Sequence, residues 1–152
     1  MGFLDKIIGK KAADSAGGGT PKQLTKAAQA AEDKGDLAGA IALYEQVLPQ
    51  LADNDEERWW YEANIADMAG EMGDYDKSGR MAQASLNHGA IMNPMPWFRL
   101  GQALFETGKL DGAADTFMRA YMLEPAVFED LAPDKPQYLE FLGTRAKLNG
   151  EN

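Results

Sequence analysis

One phrase occurs three times along the chain. Lys34 to Leu48 reads KGDLAGAIALYEQVL, Met72 to Leu86 reads MGDYDKSGRMAQASL, and Thr107 to Tyr121 reads TGKLDGAADTFMRAY. Gly35, Gly73 and Gly108 open the three copies, so the spacings are 38 and 35 residues. Both lie near the period of about 34 residues at which helix-turn-helix units recur. Glycine can end a helix because it accepts the left-handed conformation just past the last turn. The pairs that follow, Asp36-Leu37, Asp74-Tyr75 and Lys109-Leu110, then turn the chain into a second helix. Small residues at Ala40, Ser78 and Ala113 allow two helices to close on each other, and Tyr44 or Phe117, four steps later, fills the same face. The middle copy has Ala82 at that step, and Trp59, Trp60 and Tyr61 are expected to restore the missing bulk.

Between Pro21 and Leu148 the apolar spacing is helical and β-branched runs are scarce. Helices are predicted over 21–34, 37–51, 55–72, 75–88, 95–107 and 111–123, with Thr20 capping Pro21 at the first of them. A last helix over 135–148 has Tyr138, Leu139, Phe141 and Leu142 on its apolar side and is expected to cap the open end of the third copy. Ahead of the body, Phe3, Leu4, Ile7 and Ile8 fall on one side of a short amphipathic segment, 1–11, with Lys6, Lys10 and Lys11 beside them. A Gly-rich linker is read at 12–20.

Composition narrows the chemistry. There is no cysteine and one histidine, His88, which rules out disulfides, thiolate chemistry and a cage of several histidines or cysteines around a metal. The net charge is −9. Residues 1–26 hold five lysines against two aspartates, which leaves −12 on the remainder. An acidic body repels phosphate backbones and attracts a basic protein. No apolar run approaches the ~20 residues that span a bilayer, and the start MGFLDKIIGKK lacks the form of a signal peptide. The acidic run Asp53 to Glu57 lacks the glycine of a calcium loop and is read as a helix N-terminal cap. Gly17 to Gly19 is not followed by the residues of a phosphate loop. His88 is read as a charge partner at a helix end or a solvated residue.

The third copy carries Trp97, Leu100-Gly101, Ala113, Phe117, Ala120 and Pro125, and in this pattern it resembles the tetratricopeptide repeat, with Leu104 where the family usually has tyrosine. The first copy resembles it at Ala27-Ala28, Gly35, Ala40, Tyr44 and Val47, the second at Ile65-Ala66, Gly73-Asp74-Tyr75 and Leu86. The resemblance implies an all-α fold in which three repeats, about 21–52, 55–89 and 94–127, form a short right-handed solenoid within a domain over 21–148. Trp97, Leu100, Leu104 and Phe117 are then core. In the family the first helix of each repeat lines the concave face, which here selects Gln29 and Glu32, then Trp60, Asp67 and Glu71, then Phe98, Gln102, Phe105 and Glu106 as partner-binding residues. For Phe105, packing against the capping helix is an equal explanation, and Trp59 can fill the core in place of Trp60.

No catalytic constellation, metal set or cofactor motif is singled out, and a non-enzymatic, protein-binding module is expected. The third repeat followed by FEDLAPDKPQYLEFL resembles small bacterial tetratricopeptide proteins that act as immunity proteins beside secreted toxins. That likeness implies a cytoplasmic protein whose acidic groove occludes a basic toxin domain. A chaperone of the kind that serves type III secretion translocators, and a scaffold tethered to a membrane through Met1 to Lys11, are the alternatives.

Overall fold

A computed structural model describes residues 18–150. The expected segment 1–11 and the first part of the expected linker lie outside them. The described residues form eight α-helices: α1 (Pro21–Asp33), α2 (Leu37–Val47), α3 (Arg58–Met72), α4 (Tyr75–Asn87), α5 (Pro94–Glu106), α6 (Leu110–Leu123), α7 (Val127–Leu131) and α8 (Gln137–Gly150). A single 3-10 turn, Leu48–Gln50, follows α2. Consecutive helices pack as antiparallel pairs, α1 with α2, α3 with α4 and α5 with α6, consistent with tetratricopeptide helix-turn-helix repeats. The chain divides into two compact units between Ala52 and Asp53.

In the first unit Thr20 caps α1 in both directions. Its hydroxyl accepts the Gln23 N–H at 3.2 Å while the Gln23 side chain accepts the Thr20 N–H at 3.0 Å, and Pro21 sits where a missing N–H costs nothing. Leu24 and Ala28 of α1 are buried, as are Ala40, Ile41, Tyr44 and Val47 of α2. Tyr44 donates its hydroxyl to Glu32 at 3.1 Å.

The turn glycines behave as the repeat phrase requires, with φ of 79° at Gly35 and 83° at Gly73 and Gly108. Asp36 and Asp74 then cap the next helix by accepting the N–H of Gly39 and Lys77. Lys109 makes no such bond, since an ammonium cannot accept one.

The second unit holds α3 to α8. Helix α3 begins at Arg58, so the acidic run 53–57 precedes the helix. Glu57 makes no side-chain cap, and its N–H is taken by Asp55 at 2.8 Å. The run thus ends at the N-cap position of α3, as read, but without a side-chain capping bond. Tyr61, Ile65 and Met68 are the large apolar residues of α3 that are buried, while Trp59 and Trp60 are half-buried. Ala66, Ala69, Ser78, Ala82 and Ser85 of α3 and α4 are all fully buried, and Ser78 donates to the Ala66 carbonyl at 2.7 Å.

Between α5 and α6 the contact is a ring in a hole. A Cβ placed on Gly101 would lie 2.5 Å from Cδ1 of Phe117. Around Phe117 collect Phe98, Phe105, Phe128, Tyr138 and Phe141, contributed by α5, α7 and α8. Of the residues expected in this core, Phe117 lies at its centre, Trp97 and Leu104 pack against it while half-buried, and Leu100 is half-buried. The indole of Trp97 donates to the Ile91 carbonyl at 2.8 Å and lies under the Arg119 guanidinium at 5.1 Å.

Candidate protein-binding surface

The residues expected to line a binding face do not share one environment. In the first unit Gln29 is exposed on α1, and Glu32 is half-buried beneath Tyr44. In the second unit Glu71 is exposed and Asp67 is one-third exposed. Trp60 is half-buried, edge-on to Tyr61, and its carbonyl accepts the Asn64 amide at 2.8 Å.

On α5 the expectation fails for two residues. Phe98 is fully buried and Gln102 is 1% exposed, so neither can meet a partner, and both are corrected to the interior. Phe105 is half-buried against Tyr138 and Phe141, with ring centroids at 5.3 and 5.1 Å. The cover is α8, which lies over the α5 face that helical spacing alone assigns to solvent. Repeat geometry gives the reason. Asp67 and Gln102 stand at the same offset before Gly73 and Gly108, and each bonds a helix beyond its own hairpin: Asp67 pairs with Arg99 of α5, the next helix, and Gln102 with Tyr138 of α8, the next but one. α8 packs along α6 and reaches α5 through the Tyr138 and Phe141 side chains.

These contacts join into one polar chain. Both Nε and Nη2 of Arg99 reach Oδ1 of Asp67 at 2.9 Å. Nη1 of Arg99 donates to Oε1 of Gln102 at 2.9 Å, the Gln102 amide donates to the Tyr138 hydroxyl at 3.1 Å, and that hydroxyl donates to Glu106 at 2.6 Å. Donors and acceptors run in one sense from guanidinium to carboxylate, so each buried polar atom of Gln102 and Tyr138 is satisfied. Burial first, and then the hydrogen bond to the Glu106 carboxylate, push the Tyr138 phenol well above its ordinary pKa of 10.0. Arg99 and Gly70 were not foreseen. A Cβ on Gly70 would lie 2.7 Å from Cδ of Arg99, so the bare backbone there makes room for the arginine. The signal was present in the sequence as an arginine on an otherwise apolar helix face, one repeat after an aspartate.

A buried carboxylate, Glu62, is 3% exposed and pairs with Arg58 at 3.4 Å and with Nδ1 of His88 at 2.8 Å. His88, at the C-cap of α4, is thus a hydrogen-bond partner of Glu62. Nothing in either network resembles a nucleophile beside its base, and the acids that reach the surface from them are Asp67 and Glu106.

Residues 96–127, the span of α5 and α6, match the tetratricopeptide repeat family model. No curated protein matches the chain. No helix among the described residues is long and apolar enough to cross a membrane.

Proposed function

We propose that the chain is a non-enzymatic module that binds a basic, folded protein domain, and that in its cell it serves as a cytoplasmic immunity protein that occludes a toxin. The tetratricopeptide repeat implies a protein partner. The single observation that carries the rest is the way the cations are used. In the second unit Arg58, Arg80, Arg99 and Arg145 each pair with a carboxylate of the same unit, and Arg119 lies on Trp97. Over residues 53–152 the sequence holds 18 acids against 9 lysines and arginines, and the exposed acids among them, such as Glu71, Asp74, Glu106, Asp115, Glu124, Glu129 and Asp130, set the field that a partner meets. Such a field speeds the capture of a basic domain and weakens with salt over a Debye length of about 10 Å at 0.1 M. The cover that α8 lays over Phe98, Gln102 and Phe105 leaves no open groove there for an extended peptide, which favours a folded partner over the unfolded segment a secretion chaperone would hold.

The test is affinity capture of the tagged chain from its native cells at low salt, followed by co-expression with the domain recovered. A folded, basic domain that is toxic alone and harmless with the chain is the expected result. Recovery of an aggregation-prone segment kept soluble by the chain would support the chaperone instead. No recovered protein would overturn both.

A further inference from the structure

We propose that Asp67 and the C-terminal helix are energetically coupled through Arg99 and Gln102, so that the state of the Asp67 carboxylate sets how firmly α8 is held. The coupling follows from how few choices each member has. Arg99 is 3% exposed and is confined against Gly70, where its Cδ occupies the space a Cβ would need. A buried guanidinium that loses its carboxylate must find another acceptor or draw water. The nearest it already touches is Oε1 of Gln102. Gln102 is itself buried and holds Tyr138 with the other end of its amide, so it cannot turn toward Arg99 without releasing the phenol. Tyr138 is fully buried and anchors α8 with that hydroxyl, shared between Gln102 and Glu106.

Asp67 and the exposed Glu106 are the members of the chain that a partner can reach; at Asp67 both Arg99 bonds fall on Oδ1 and the side chain is 33% exposed. A partner's lysine or arginine that engages Asp67 weakens its hold on Arg99 and, through Gln102, loosens α8. That last consequence rests on the reading of a basic partner. The test below uses no partner, so the two ideas fail separately.

Hydrogen exchange of the full chain, followed by mass spectrometry over the α8 amides, reads the coupling in a double-mutant cycle. Tyr138→Phe keeps the ring and should speed α8 exchange about tenfold, the scale of a lost hydrogen bond to a charged group. Asp67→Asn should speed it about threefold, and the double variant should be no faster than Tyr138→Phe alone. If the two effects multiply, the residues are independent and the proposal is wrong. Asp76→Asn is the control, since its pair with Arg80 lies on the exposed side of α4. It should leave α8 unchanged, and an effect equal to that of Asp67→Asn would mean general loosening of the unit and would also overturn the proposal. Should Asp67→Asn not fold, Gln102→Met replaces it, with α8 exchange as fast as in Tyr138→Phe expected and unchanged exchange fatal.

Discussion

The α3–α4 and α5–α6 hairpins share a turn and differ in how they close. Gly73 and Gly108 have the same φ of 83°, and Ser78 and Ala113 are both fully buried at the crossing. Four residues on, the first hairpin buries the small Ala82, and the second seats the Phe117 ring over Gly101. Small-to-small packing depends on close approach of two backbones and is spread over many weak contacts. A ring in a hole concentrates the same burial in one side chain. The family pattern is matched at 96–127, where the large residue is present.

Substitutions separate the two modes. The largest loss is expected for Phe117→Ala, which removes the ring at the centre of the aromatic cluster and should cost about 3–5 kcal/mol in chemical unfolding. The reverse change, Gly101→Ala, leaves the ring but fills its hole, and should cost about 1–3 kcal/mol by the same measurement. A smaller loss, about 1–2 kcal/mol, is expected for Gly73→Ala and Gly108→Ala, because each puts a Cβ into a left-handed turn with open space around it. These two should agree closely, since the turns are alike, and unequal losses would break the comparison at its shared element. Ser78→Ala should cost about 1 kcal/mol, the net value of its bond to Ala66.

The smallest effect is in the alkaline limb. Below pH 10.0, the ordinary value for tyrosine, Tyr138 is protonated in both folded and unfolded chains and contributes no slope. Above it the unfolded chain releases the proton while the folded one keeps it, so stability falls as pH rises from there. Melting temperatures of the parent and of Tyr138→Phe across pH 9 to 11 should show the shallower fall in the variant.

Much of this fold was legible in the chain. The three turn glycines, the Thr20 cap and the small residues at 40, 78 and 113 are set by local geometry, which sequence spacing reports directly. The candidate surface was legible only in part. Helical periodicity told the two sides of α5 apart but not what lies against each, because the cover on Phe98 and Gln102 comes from Tyr138, a partner far along the chain. The same spacing placed Trp97 and Leu104 against the core, where they pack while half-buried, but did not report how much of each stays exposed. Helix α7 went unread because five residues between Pro125 and Pro133 are too few to show a period. The acidic run supplies the N-cap residue of α3 without a capping bond, a difference residue type alone does not reveal.

A stack of like hairpins carries no instruction about where to stop. Each exposes, on its trailing side, the surface on which the next would grow. Here Tyr138 meets Gln102 at the position where Arg99 meets Asp67, and α8 holds the place a further hairpin would take. Growth ends by occupancy. With α8 drawn aside, Phe98, Phe105 and Phe117 would form an adhesive end, open to whichever helix arrived first.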